Sequence, residues 1–274
     1  MATDPADSPS GQGSTYRFLI APKWIGFHLL VAVAVIVMIN LAFWQLRRLD
    51  ERQQFNDRVD ANTSQPVVAF DEIRANLADP STIEWRRVRV TGTYVPDQQF
   101  LVVNRSQNGD TGRNVVGALQ LDDGSLLLVN RGFVPSADDV PPAPQGSIEV
   151  TGRLRVSEQR RTGQPADEAV EALTEIRRID IDVLSQQFDV PVQPMYVEAR
   201  ASSPPDAGSL QPIVDPVLDE GPHLSYAIQW FVFTICVIVG WVLAVRRSIA
   251  HRSGKPAKKR KSAYIPIADD QSAS

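Results

Sequence analysis

Cysteine is all but missing. Cys236 is the one thiol in 274 residues. The chain can therefore form no internal disulfide, and it holds no CxxC or CxxxC pair for copper binding or thiol exchange. Histidine is nearly as scarce, with three residues, and only His223 falls between positions 29 and 250. A Ser–His–Asp arrangement would need that ring as its base, and no GxSxG turn supplies a nucleophile. No GxGxxG or phosphate-binding loop occurs either. Acidic residues are abundant, but with 32 of them their pairings carry no signal, and most form a solvated face.

Formal charge is missing from two long stretches. Ile25 to Trp44 is 20 residues and Leu224 to Val245 is 22, without one Asp, Glu, Lys or Arg. About 20 apolar residues in a helix span the roughly 30 Å hydrocarbon core of a bilayer. Trp24 and Trp44 bracket the first run, as aromatic residues do at membrane interfaces. That run is longer than the apolar region of a cleaved signal peptide, and no small-residue cleavage site follows it. Arg47, Arg48, Asp50, Glu51 and Arg52 begin at once instead. Buried core helices are the competing reading, and they rarely need such length.

Lysine is missing from the whole middle of the chain. All five lysines (Lys23, Lys255, Lys258, Lys259 and Lys261) flank the two runs. The segment from Arg47 to Pro222 holds 28 acidic residues and 18 arginines, a balance of −10, whereas the tail after Val245 has eight basic residues against Asp269 and Asp270. Basic residues beside a span mark the cytoplasmic side. Both termini are thus expected in the cytoplasm and the large segment outside. Arg47, Arg48, Arg52 and Arg58 run against that orientation, but long domains translocate largely regardless of charge. The tail reads as topology and contact with anionic lipid headgroups, and with Tyr264 its only aromatic it is a poor nucleic-acid arm. The first 17 residues carry Asp4 and Asp7 against Arg17 alone, unlike a transit peptide, so a bacterial plasma membrane is expected.

The expected organisation is a cytoplasmic segment over 1–23, a transmembrane helix over 24–45, an extracytoplasmic β-rich domain over 46–222, a second transmembrane helix over 223–245 and a basic cytoplasmic tail over 246–274. Residues 1–16 read as disordered. The first helix is predicted to run on to about Val59. A short helix is predicted over 69–80, ended by Asp79-Pro80. Alternation predicts strands over 85–95, 99–105, 115–121, 125–132, 147–156 and 193–199, with turns at Pro96-Asp97 and Asp122-Asp123-Gly124. Asp180 or Asp182 is placed to cap a helix reaching about Phe188. The fold class is an α+β membrane protein: two transmembrane helices flank a β-rich domain, a small barrel or sandwich with a few helices.

His223 stands where the second span meets water. On the helix it opens, His223, Tyr226, Ala227, Trp230 and Thr234 recur at helical spacing. An imidazole above a small Ala and beside aromatic rings can seat a flat macrocycle, and the positive end of a helix favours the neutral ring that ligates metal. Arg47 or Arg48 could meet the propionates of such a ring. The plain alternative is an interfacial His that caps its helix. His28 lies at the far end of the first span, on the order of 25 Å away, and is no co-ligand. Asn40, in the outer half of that span, reads as helix packing.

Several segments carry a family likeness. FWQLRRLDER (43–52), RVRVTGTYVPDQQFLVVNR (87–105), VNRGFVP (129–135), VTGRLR (150–155) and GPHLSYAIQWFVF (221–233) occur in this order. Together with two spans around one outer domain, they resemble the Surfeit locus protein family of cytochrome c oxidase assembly factors. Phe133 stands where the family more often has Trp. The resemblance implies an assembly factor rather than an enzyme, one that binds haem a transiently and helps insert it into oxidase subunit I alongside other assembly factors. It implies His223 as the haem-iron ligand, with Tyr226, Ala227 and Trp230 around the cofactor. Arg131 is expected to form an ion pair within the domain and Gly132 a turn. A scaffold that stabilises an oxidase subunit without binding haem is the alternative; a membrane-anchored sensor is a weaker one.

Overall fold

Neither Gly nor Pro occurs between Gln45 and Gln65, so nothing stops the helix begun in the first apolar run. In the computed structural model, residues 16–163 and 173–252 are described. Helix α1 runs unbroken over Pro22–Thr63. At about 1.5 Å per residue its 42 residues extend roughly 63 Å, twice a hydrocarbon core. Helix α5, His223–Arg252, has 30 residues. Both are long and apolar enough to cross a membrane, with mean hydropathies of 2.5 and 2.3 over their most apolar windows, of which only 6% is buried. That exposure excludes the core helices of a soluble domain. Of the stretch expected to be disordered, 1–16, residues 1–15 lie outside the described residues, as do the tail lysines.

The chain divides into two compact units, Arg52–Asp219 and Met1–Glu51 with Glu220–Ser274. In the second of these, α1 and α5 run antiparallel: Gln45 meets His223, Phe43 meets Phe231 and His28 meets Trp241. Only small residues are buried in the helices there, Ala42 on α1 and Ala227 and Thr234 on α5.

Residues 52–219 form a closed β-barrel. Strands β1 (Val68–Ala69), β2 (Arg87–Gln107), β3 (Asp110–Gln120), β4 (Leu126–Pro135), β5 (Ser147–Val156), β6 (Glu175–Ile176) and β7 (Val192–Ser203) make one mixed sheet. The order β2-β3-β4-β7-β5 closes because β5 pairs back onto β2. All links of this ring are antiparallel except β4–β7, which is parallel. The barrel expectation therefore holds, with one parallel joint inside it.

Two apolar layers hold the barrel. Val88, Val90, Leu127, Val129, Ile148, Val150, Leu154, Met195 and Val197 come from four of the ring strands and pack together with Phe70, Ile73 and Leu77. Phe100, Val102, Val116, Leu126, Leu128 and Tyr196 face the other way, against Ile179, Ile181 and Leu184. Strand β4 lends alternate residues to each layer, which is why LLLV reads as a continuous apolar run rather than an alternating one. Each such side chain stabilises the fold by about 1.5–3 kcal/mol when fully buried.

Three local expectations need correction. The turn expected at Pro96-Asp97 is absent: β2 passes through it as one strand of 21 residues. The pairing of β2 with β3 skips there between Tyr94 and Gln99, and Asp97 has φ of 58°, so the extra residues are absorbed as a bulge that bends the strand. The helix expected over 69–80 splits into α2 (Phe70–Ile73), a 3-10 turn (Arg74–Ala78) and α3 (Pro80–Ile83), with Pro80 starting a helix rather than ending one. Helix α4 (Ile181–Leu184) follows Asp180 at its N-cap, but no side-chain bond caps it.

The end of α1 is anchored on the barrel. Val59 is buried, Phe55 meets the Trp85 ring edge-on at 6.0 Å, and Asn62 Nδ2 donates to the carbonyls of Thr82 and Glu84.

Candidate functional site

The site is built at the first residue of α5. Gly221 has φ of 67°, a left-handed conformation that turns the chain into the helix and suits glycine. Pro222 follows; its carbonyl accepts from the Tyr226 amide at 3.2 Å and from Ser225 Oγ at 2.7 Å. The His223 side chain takes part in neither bond.

The His223 ring turns to the other helix instead. Its Nδ1 lies 2.8 Å from Gln45 Oε1. A carboxamide oxygen only accepts, so Nδ1 carries the hydrogen, and in the neutral ring Nε2 holds the lone pair. A ring held in this way has a fixed tautomer, a fixed orientation and one donor atom for a metal. The Gly221 backbone lies close to that atom: a Cβ on Gly221 would be 3.4 Å from His223 Nε2 and Cδ2. One turn on, Ala227 is buried.

The remaining expected residues are distributed unequally. Trp230 is half-buried and meets Phe233 edge-on at 6.0 Å. Thr234 is buried and donates to the Trp230 carbonyl at 2.9 Å. Tyr226 is 48% exposed. Of the two arginines, Arg48 is taken by Glu51 at 2.5 Å, whereas Arg47 is exposed. Asn40 does not face α5: it is exposed, and its Nδ2 donates to the Ile36 carbonyl at 2.8 Å within its own helix. Gln45 and Gly221 are the residues that sequence reasoning passed over, although both lie in segments that carry the family likeness.

His28 offers a contrast at the other end of the helix pair. Trp241 Nε1 donates to His28 Nδ1 at 2.8 Å. An indole only donates, so this Nδ1 must hold a lone pair, and the hydrogen of the neutral ring sits on Nε2. His28 is thus spent as an acceptor inside a cluster with Trp24, Phe27 and Trp241. Among the described residues, no group of three or more His, Cys, Asp or Glu side chains gathers to hold a metal ion.

The barrel's polar centre is structural. Arg131, with no side-chain exposure, donates Nε and Nη2 to the two Asp206 oxygens at 2.8 and 2.6 Å. It also donates to Gln99 Oε1 and to the carbonyls of Pro141 and Pro142. The Tyr94 ring lies 5.7 Å from this guanidinium. Burial pushes the Tyr94 phenol far above its usual range, although the Arg131 charge pulls the other way. The expected ion pair of Arg131 is therefore present. Gly132 makes no turn: it lies within β4 beside a register shift, at φ of 147°, and a Cβ there would come 2.7 Å from the Gln211 carbonyl oxygen.

Fold and site together define a protein with two helices long and apolar enough to cross a membrane, a barrel formed by the chain that joins them in sequence, and an imidazole held by a hydrogen bond at the start of the second helix. A family model described as the SURF1 family matches residues 32–235, and the chain belongs to that family, one of oxidase assembly factors. An uncharacterized SURF1-like protein of Mycobacterium tuberculosis is 31% identical over 232 residues, covering 81% of this chain and 83% of that protein. A SURF1-like protein of Monosiga brevicollis is 29% identical, covering 80% and 87%. Surfeit locus protein 1 of Takifugu rubripes is 25% identical, covering 70% and 85%. The matched range contains Gln45 and His223 and leaves out His28 and Trp241.

Proposed function

We propose that this protein is an assembly factor for haem-copper cytochrome c oxidase that binds haem a through His223 and aids its insertion into subunit I. Family membership supports the assembly role. The observation that carries haem binding is the His223 ring, pinned at Nδ1 by Gln45 and open at Nε2. One imidazole cannot build a site for a bare ion, but it suits a metal that arrives already held by a macrocycle, as the iron of haem a would. His223 Nε2 would be the protein atom that holds that iron, and Gln45 would orient the ring. Trp230 and Tyr226 would shield the macrocycle, and Arg47 is the arginine near this end without the Glu51 pairing that engages Arg48. A single protein ligand suits holding and release rather than catalysis.

In this reading the protein sits in a bacterial plasma membrane with both termini cytoplasmic and the barrel outside, and its partners are subunit I and other assembly factors. The test is to purify the protein from membranes of cells that make haem a and to record the Soret band, with His223→Ala beside it. Loss of haem from the variant is expected. Equal haem in both would leave only the non-haem scaffold, and unchanged oxidase activity in a deletion strain would remove the assembly role altogether.

A further inference from the structure

The exposed surface of α5 has two unlike stripes. One is purely aliphatic: Leu224, Ile228, Val232, Ile235, Val239 and Val242. This is the side chain set that lipid tails favour. The other runs through Gln229, Phe233, Cys236, Gly240 and Leu243, all exposed, at alternating steps of four and three residues. That is the spacing of a helix–helix seam. It contains the one amide, the one thiol and the one glycine of the span Leu224 to Val245.

Gln229 is the anomaly. The other hydrogen-bonding side chains of the helix pair are largely satisfied in place: Ser225 by the Pro222 carbonyl, Thr234 by Trp230, Asn40 by Ile36 and Trp241 by His28. The Gln229 carboxamide has no partner among the described residues. It lies about 9 Å of helix below His223, within the apolar run. An unpaired amide facing hydrocarbon is costly, and polar side chains in spans mark contacts between helices. Gly240 has nothing within 4 Å of an added Cβ, so another backbone can approach there.

We propose that a second copy of this chain packs along this stripe, in a parallel seam that sets Gln229 against Gln229. A carboxamide is both donor and acceptor, so two copies related by a two-fold axis along the membrane normal satisfy each other with no further group. Both copies share one topology, which makes the seam parallel.

Cys236 lies one heptad beyond Gln229 on the same stripe, and no other thiol competes with it. The full-length protein in native membranes is oxidised with copper phenanthroline and run without reductant. A covalent dimer is expected, absent in Cys236→Ser. Gln229→Leu should lower its yield about threefold to tenfold, the factor an interhelical hydrogen bond in a membrane implies. The double variant Cys236→Ser with Ile235→Cys, on the aliphatic stripe, should cross-link far less than the parent. Equal yields from positions 235 and 236, or no dimer at all, would overturn the seam. Cys236 cross-linked to a different protein in place of itself would give the stripe to a heterologous helix and overturn it too.

Discussion

Gln45→Leu removes the acceptor that holds His223 and keeps most of the side-chain volume. The 2.8 Å bond between Gln45 Oε1 and His223 Nδ1 is the side-chain hydrogen bond that ring makes among the described residues. Without it the hydrogen is free to move to Nε2, which abolishes the donor, and the ring is free to rotate out of its present orientation. Outer-sphere partners of this kind change metal affinity by about 10–100-fold, or about 1.4–2.7 kcal/mol. The assay is titration of the purified apo-protein in nanodiscs with haem a, read at the Soret band. Gln45→Leu should weaken binding by that factor, and Gln45→Glu, which keeps an acceptor, should bind at least as tightly as the parent. His223→Ala serves as the reference for loss of the ligand itself. If His223→Ala fails to bind while Gln45→Leu binds within twofold of the parent, the positioning argument is refuted and the ligand assignment survives. If all three bind alike, His223 is not the ligand.

Two further predictions concern the barrel. Asp206→Asn leaves the buried Arg131 guanidinium without its counter-charge, a loss of about 3–5 kcal/mol, and in a unit of this size it should lower the melting temperature by roughly 6–20 °C; a shift of under 2 °C by Trp fluorescence would contradict the assignment. The Asp123 carboxyl is held down to about 2 by the Ser125 hydroxyl, the Ser125 amide and Arg74. Its folded-state value is depressed, so its contribution is present above about pH 4 and is lost as pH falls toward 2. The stability difference between parent and Asp123→Asn should shrink over that interval, and a difference constant from pH 6 to 2 would count against it.

How far the fold could be read from the chain depended on how local its cause was. Strand β5 matches its expected bounds, Ser147–Val156, because one face meets the core and the residues alternate accordingly. The hairpin at Asp122-Asp123-Gly124 is equally local. The long bent β2 was invisible as one strand, since Pro96-Asp97 has turn chemistry and only the two flanking pairings show that the chain keeps going. The parallel joint β4–β7 and the two-residue strands β1 and β6 leave no periodic trace. At the site, His223 was legible because histidine is scarce and the surrounding motif is familiar. Gln45 was not: its partner is 178 positions away, and alone it is one more polar residue at the end of a span.

The two membrane histidines give the site argument an independent check. They have the same ring and similar settings, each at one end of the helix pair and each bonded through Nδ1 at 2.8 Å. Only the partner differs. Gln45 offers an oxygen that must receive a hydrogen, while Trp241 offers an N–H that must be accepted. The rings are therefore opposite tautomers when neutral: His223 protonated at Nδ1 with Nε2 open, His28 protonated at Nε2 with Nδ1 occupied. Selective 15N labelling of histidine and solid-state NMR of the protein in bilayers can distinguish the two, since protonated and bare ring nitrogens resonate far apart. His28→Gln and His223→Ala assign the signals. Trp241→Phe should release His28 to a mixture of tautomers and leave His223 unmoved. Identical tautomers in the parent protein would remove the chemical reason for preferring His223 over His28 as ligand. Opposite tautomers would mean that the choice of ligand is set by one residue on the facing helix rather than by the histidine itself.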